Sequence, residues 1–361
     1  MNIINDIKQL PKYSSVHIYG AGSFGMMLYD AIVFYRSDVK IINFIDGFKT
    51  REYLNLPIIN IQEFIEKHES ENIILIATDP VYWKEIAENV EKAGVEHYFV
   101  NKFHDYDIYG KKEVGKINKY KKQINVVSDI LEDNEDKIKW KIITDSMGKS
   151  NVNDFLNYIN KDNSKINTRF ENYLDFNIRL SEGGTVIDGG SYDGPQTSMF
   201  ANQIGVDGKV YAFEPRSLLE RRADVHDLNN VKVIPKALWS KKTTMYFLEN
   251  SGRTVVSTHK VPNSTRVDGI SIDEFIQEND INCLDLIKFD IEGAEMEGLR
   301  GGAESIKRFR PKLVISLYHK LEHYFEIPIY LKSILPDYRF KLSLTHPFGV
   351  GTLLFAIPPD C

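Results

Sequence analysis

Twice in this chain an apolar run ends in a glycine loop that opens into a helical pattern, at VHIYGAGSFG from Val16 and at TVIDGGSYDG from Thr185. A strand that turns through glycines into a helix starts a βα unit, and repeated βα units require a parallel sheet covered by helices. The first start is followed by VKIINFIDG, NIILIAT, WKEIAENVEKAG and HYFV, and this series ends near Asn101. The second continues with KVYAFEP, VKVIPKALW, LDLIKFDIEG, PKLVISLYH, YRFKLSLTH and TLLFAIP. Turn or helix patterns separate the first five strand signals of that series, and the last two lie close enough to pair as a hairpin. The expectation is an α/β chain: five parallel strands plus an antiparallel hairpin, preceded by a smaller Rossmann-like α/β domain.

A length of 361 residues suits two cores better than one. Between the two series, Lys111–Gln123 holds six lysines and one glutamate, so residues 102–165 read as a helical, Lys-rich, solvated connector. The domains expected are therefore 1–101, 102–165 and 166–361. Just upstream of the second sheet, Ile166, Phe170, Leu174 and Ile178 recur every four residues, a helix expected to lie across its entrance. After LDLIKFDIEG, the steps Met296, Leu299, Ala303 and Ile306 place one helix against the sheet, weakened in its middle by Gly301 and Gly302.

A net charge of -6 gives no drive toward nucleic acid or an anionic membrane. No apolar stretch approaches the roughly 20 residues of a spanning helix, and charges interrupt the opening MNIINDIKQLPKYSS where a signal peptide would be apolar. A cytoplasmic protein without a membrane span is expected. Only Cys283 and Cys361 occur, which argues against a disulfide framework and a thiolate metal site.

The two glycine loops differ in charge. Gly20, Ala21, Gly22, Ser23, Phe24 and Gly25 form G-x-G-x-x-G between strand and helix, where backbone N–H groups and the helix N-terminus favour a phosphate. Asp46 closes the next strand and could bind a ribose. This is a candidate nucleotide site; the alternative is a Rossmann unit kept for packing or partner recognition.

The second loop is Asp188, Gly189, Gly190, Ser191, Tyr192, Asp193 and Gly194, and Glu214 with Pro215 closes the following strand. Carboxylates around one crevice repel a pyrophosphate, since like charges 4 Å apart cost about 4 kcal/mol at an effective dielectric near 20. S-adenosylmethionine, with a sulfonium, an ammonium and no phosphate, removes that conflict. Asp188 would face its amino-acid end and Glu214 its ribose hydroxyls.

TVIDGGSYDGPQT, VYAFEPR, LDLIKFDIEGAEMEGLRGG and PKLVISLYHK, the last followed by HYFEIPIYL and LPDYRF, together resemble the FkbM family of S-adenosylmethionine-dependent methyltransferases over about residues 173–357. The resemblance implies a class I (Rossmann-like) methyltransferase sheet and methyl transfer, commonly to oxygen on glycans or secondary metabolites. It also implies that Asp188–Gly194 form the methionine-end loop, that Glu214 is the ribose acid and Ala237 the adenine-side loop, and that Asp290, Glu292 and Glu295 lie beside the methyl group. Pro195 and Gln196 depart from the acidic and hydroxyl residues of many relatives, and Thr197 can supply the hydroxyl. The segment after Asp46 resembles the small nucleotide-binding-type domain fused to many polysaccharide-biosynthesis enzymes.

Methyl transfer to a hydroxyl needs in-line positioning and a base within hydrogen-bond reach. His319 ends KLVISLYH at the sheet edge where ligands bind and is the first candidate base, since histidine titrates near neutrality. In LIKFDIEG, alternation puts Lys288 and Asp290 on one face of a central strand. Lys288 could pair with Asp290 or Asp188 to fix strand ends, while Asp290 could face the sulfonium or the acceptor. Glu292 and Glu295 could begin the next helix as favourable N-terminal charge or grip the acceptor, and His346 is a further acceptor candidate. The polar segment Glu249–Arg266 could be an acceptor loop. Two carboxylates, Asp290 and Glu292, make a weak metal signal, and no metal is expected. The competing functions are a NAD-dependent sugar-nucleotide oxidoreductase using Gly20–Gly25 and a non-catalytic cofactor-binding scaffold in glycan assembly.

Overall fold

The computed structural model describes residues 3–4, 7–47, 51–53, 56–67, 72–78, 82–92, 94–100, 116–149, 154–155, 157–158, 178–192, 194–215, 228–250, 253–260, 262–344, 349 and 351–359. They fall into two compact units. One comprises Met1–Lys121, Lys141–Ile166 and His346–Phe348; the other comprises Lys122–Trp140, Asn167–Thr345 and Gly349–Cys361.

The N-terminal unit is built on β1 (Ile3–Ile4), β2 (Ser15–Tyr19), β3 (Lys40–Ile45), β4 (Arg51–Tyr53), β5 (Leu56–Ile59), β6 (Ile73–Ile76) and β7 (His97–Val100). Their order is β1-β7-β6-β2-β3-β5-β4, parallel throughout except for β4 against β5. Helix Ser23–Tyr35 packs Leu28, Ala31 and Ile32 into the same apolar cluster as Val16, Ile18 and Leu75 of β2 and β6. Burial on both sheet faces explains why β6 reads as the unbroken apolar run IILI.

The C-terminal unit holds β8 (Thr185–Gly189), β9 (Lys209–Phe213), β10 (Val231–Ile234), β11 (Ala237–Leu238), β12 (Thr243–Asn250), β13 (Arg253–Ser257), β14 (Thr265–Ile270), β15 (Leu286–Phe289), β16 (Lys312–Ser316), β17 (Arg339–Leu342) and β18 (Leu353–Ile357). The main sheet runs β10-β9-β8-β15-β16-β18-β17: the first five strands are parallel, and β18 is antiparallel to both β16 and β17. This is the five-plus-hairpin arrangement expected from the sequence. β8 and β15 are buried along their whole length, as central strands must be.

Several local expectations change. The segment Glu249–Arg266, read as a loop, contributes to a second sheet of order β11-β14-β12-β13. Its backbone hydrogen bonds go into antiparallel pairing of β12 with β13 and β14, which the Ser, Thr and Asn content concealed. The single helix expected after LDLIKFDIEG is two, Glu295–Gly301 and Ala303–Phe309. A Cβ on Gly301 would come within 2.1 Å of the Trp239 carbonyl, so glycine admits another backbone there while the helix breaks.

Within the stretch read as a solvated connector, Lys122–Trp140 groups with the C-terminal unit. Trp140 packs 6.3 Å from the ring of Tyr324 and 6.1 Å from that of Phe325, and the Lys139 amine donates to the Leu342 carbonyl at 3.0 Å. Lysine-rich composition hid this apolar face, a frequent outcome for amphipathic helices whose long cations cover the rim. Of the Ile166–Ile178 repeat, Ile166, Phe170 and Leu174 lie outside the described residues; Ile178 is in the core with Val186 and Phe200.

Candidate active site

In the C-terminal sheet the chain leaves β8 toward β9 on one side, while β15 lies on the other. Such a reversal opens a crevice at the carboxyl ends of the strands, where ligands of open α/β sheets bind. The Gly189–Gly194 turn and the tract after β15 both reach that edge. Gly190 is left-handed at φ 78°, and a Cβ on it would sit 1.8 Å from the Asp290 carbonyl. The two strand-end segments therefore touch backbone to backbone. Tyr192 and Glu292 take positive φ without being glycine (48° and 56°), strain often found where function fixes a backbone.

Below the crevice, Asp188 and Lys288 are register partners on β8 and β15, 0% and 1% exposed, with the amine 3.0 Å from the carboxylate. Lys288 also donates to the Gly190 carbonyl at 2.8 Å, and Thr197 donates to Asp188 at 2.6 Å. This corrects one expectation and selects between two others. The Asp188 carboxylate is balanced inside the protein, so it does not add open negative charge to the crevice, and of the two partners considered for Lys288, Asp290 and Asp188, it is Asp188 that it meets, tying the strand ends together. Pro195 opens helix Pro195–Ile204 at a position where its missing N–H costs nothing, which turns Thr197 toward Asp188. Glu214, just after β9, is 2% exposed and accepts from the Tyr192 N–H at 3.0 Å, while the Tyr192 residue as a whole is 54% exposed.

On the far side, Asp290 accepts from Ser316 at 2.9 Å and from Tyr318 at 3.1 Å. His319 lies beside it, with Nε2 3.5 Å from Asp290 and 3.8 Å from the half-exposed Glu292, and Nδ1 2.8 Å from Glu295. Glu295 is fully buried and accepts the backbone N–H groups of Ile291 and Gly293, so it anchors the tract from inside and does not form an acceptor surface. Its second oxygen lies 3.1 Å from His323 Nδ1.

Burial disfavours a charged His319 ring, but the hydrogen bond to Glu295 and the charges of Glu295, Asp290 and Glu292 outweigh it and raise the pKa to about 9. Burial likewise opposes a charged Glu295, yet His319 and His323 hold its carboxyl well below the usual range. Candidate base and carboxylates thus form one coupled cluster at the edge of the crevice.

Residues 188–342 match the family model described as the methyltransferase FkbM domain. The matched span lies within the C-terminal unit. No curated protein matches the chain. Among solved structures, the FkbM methyltransferase of Methylobacillus flagellatus KT superposes with a TM-score of 0.66 at 19% identity, covering 97% of this chain and 92% of that one. That likeness shows a shared fold. Aeropyrum pernix fibrillarin with natively bound S-adenosyl-L-methionine matches at TM-score 0.33 and 12% identity over 52% of this chain and 73% of its own. A SAM-dependent O-methyltransferase of Thermotoga maritima gives 0.28 and 13% over 60% and 71%.

Around the crevice, Ser191 is buried and donates to the Asp188 carbonyl at 3.0 Å, closing the turn. Pro215 follows Glu214 at the end of β9. Ala237, expected in a loop, starts β11 and pairs with β14, and its neighbour Leu238 packs on Gly189. Asp193 and His346 lie outside the described residues. Sequence reasoning passed over Ser316, Tyr318 and His323. Polar residues at a spacing of two where an otherwise apolar strand ends were the available signal for the first pair, and His319-x-x-x-His323 for the third.

In the N-terminal unit, β2 is likewise flanked by β3 and β6, so Gly20–Gly25 sits at the corresponding reversal. Gly20 and Gly25 have separate backbone causes, and Gly22 has none within the protein. Gly20 is at φ 108°, a Cβ on Gly25 would lie 1.8 Å from the Gly20 carbonyl, and a Cβ on Gly22 would meet nothing within 4 Å. Asp46 accepts from the Ala21 N–H at 2.8 Å. Phe24 packs against the core, and Ser23 is the first helical residue after Gly22, which offers no side-chain cap. No helix among the described residues is long and apolar enough to cross a membrane, and no metal-binding cluster of His, Cys, Asp and Glu occurs among them.

Proposed function

We propose that the C-terminal unit transfers the methyl group of S-adenosylmethionine to a hydroxyl of a sugar, glycan or related small molecule, in the cytoplasm. The observation that carries this reading is the meeting of the Gly189–Gly194 turn with the Asp290–Glu295 tract at the β8/β15 edge, in an FkbM domain. The residues present suit the cofactor: Glu214 is a carboxylate at the end of the second strand, suited to paired ribose hydroxyls, and the glycine turn allows close backbone approach. Gly189 to Gly194, Thr197, Pro215 and Ala237 complete the expected cofactor side, while Asp188 and Lys288 hold its floor rigid. When bound, the cofactor supplies an electrophilic methyl on a sulfonium.

The chain's own contribution is to position the acceptor and take its proton. Asp290 and Glu292 receive the acceptor hydroxyl, and unprotonated His319 accepts its proton through Nε2, while Glu295 fixes the ring from behind. The opposing arrangement of cofactor loop and acceptor residues across one crevice supports in-line transfer.

Isothermal titration with S-adenosylhomocysteine, followed by methyl-labelled cofactor offered to sugar and glycan acceptors, tests the reading. Binding should be lost in Glu214→Ala and label should appear on a hydroxyl. Tight NADH binding without a response to the homocysteine product would instead favour the oxidoreductase, and cofactor binding without turnover on any acceptor would favour the scaffold.

The open approach at Gly22 supports a second, separate ligand: a nucleotide or sugar nucleotide with phosphate on Gly20–Gly25 and ribose on Asp46. Asp46→Ala should weaken nucleotide binding without altering affinity for S-adenosylhomocysteine.

A further inference from the structure

Glu295 is a buried carboxylate with two imidazoles, one at each oxygen. His319 Nδ1 lies 2.8 Å from Oε1, which also receives the Ile291 and Gly293 N–H groups, and His323 Nδ1 lies 3.1 Å from Oε2. Among the described residues, neither Oε2 nor His323 Nδ1 makes a well-formed hydrogen bond to any group, and both side chains are almost wholly enclosed, which leaves each as the partner available to the other. Burying either atom alone carries the full desolvation penalty of an unmade hydrogen bond. His323 thus meets the other oxygen of the carboxylate that holds His319, from the first turn of helix His323–Ile334.

We propose that His323 is a positioning residue for His319, acting through Glu295: by donating Nδ1–H to Oε2 it stabilises the carboxylate and sets the pH at which the His319 ring gives up its proton. The catalytic consequence rests on the methyl-transfer reading, but the titration itself does not.

The direction follows from counting protons on the pair. With the proton present, Glu295 faces an imidazolium or is itself neutral; with the proton gone, a bare buried carboxylate relies on its remaining donors. Removing His323 penalises the second state most, so the pair holds its proton to higher pH. The other groups around His319 are Asp290 and Glu292 on the tract after β15 and the Tyr318 ring, 4.3 Å away between centroids. The Lys320 amine binds the Gly293 carbonyl. None of them changes when His323 is replaced.

The test is an NMR titration of histidine-labelled protein without substrate or cofactor. In His323→Leu the His319 midpoint should rise by about one pH unit, the scale of a hydrogen bond to a charged group. In His323→Asn, which can return a donor near the Nδ1 position, most of that rise should vanish. Under methyl transfer, the pH profile of kcat should shift in parallel while KM stays constant.

An unchanged midpoint in folded His323→Leu, or equal shifts in the leucine and asparagine variants, overturns the proposal. If the leucine variant does not fold, the wild-type protein decides. His323 should be the Nδ1–H tautomer and its ring signals should move as His319 titrates; an Nε2–H tautomer or static signals would refute the role. A failed methyl-transfer assay with the expected titration would remove only the catalytic reading.

Discussion

His319 is set among three carboxylates, and its raised pKa gives the proposed chemistry a definite pH dependence. Near pH 7 the ring is mostly protonated, with about one molecule in a hundred ready to accept a proton if the pKa is about 9. If His319 is the base, kcat/KM should climb about tenfold per pH unit from 7 and level off near 9, as measured across buffers of constant ionic strength. Glu292→Gln removes one charge that supports the imidazolium, so the profile should move to lower pH; a profile flat from 7 to 9 in the parent would remove the base role. The same group links stability to pH. Its pKa is higher folded than the ordinary 6.5, so its contribution is full below about 6.5 and declines as pH rises through about 9. Thermal melts should show that decline, and His319→Gln should flatten it.

At the scale of elements, β8 and β15 are joined across register by Asp188 and Lys288, a buried pair whose loss on one side leaves an uncompensated charge. Lys288→Met should cost about 3–5 kcal/mol in denaturant unfolding, and adding Asp188→Asn should recover much of it. An effect of Lys288→Met on turnover alone would argue for direct chemistry. The strands, the two glycine turns and their acids were legible because apolar runs and glycines obey local rules. Which acid meets which base was not. Alternation placed Lys288 and Asp290 on one face, but only the neighbouring strand reveals that Lys288 serves Asp188. Glu295 read as favourable charge at a helix start or an acceptor contact because the two histidines that meet it lie 24 and 28 residues downstream and leave no mark on its own segment. The second sheet escaped notice because its strands are rich in residues that also build loops.

At the scale of the whole molecule, two α/β units each carry a glycine turn at a strand-order reversal. Ligands for one should stabilise that one. In calorimetry, S-adenosylhomocysteine at a hundred times its Kd should stabilise the C-terminal unit by about 2.7 kcal/mol, and a nucleotide should act on the other transition. A single ligand shifting both equally would contradict separate sites. The sheet of the C-terminal unit also dictates an order of assembly. β18 is the last of its strands in sequence, yet it lies between β16 and β17. Until β18 is made, β16 keeps a bare edge and β17 has no partner in the sheet, and each is able to recruit a neighbouring chain. The growing polypeptide must therefore wait for its final strand before this half of the protein can seal, and a nascent-chain aggregate is the hazard built into that delay.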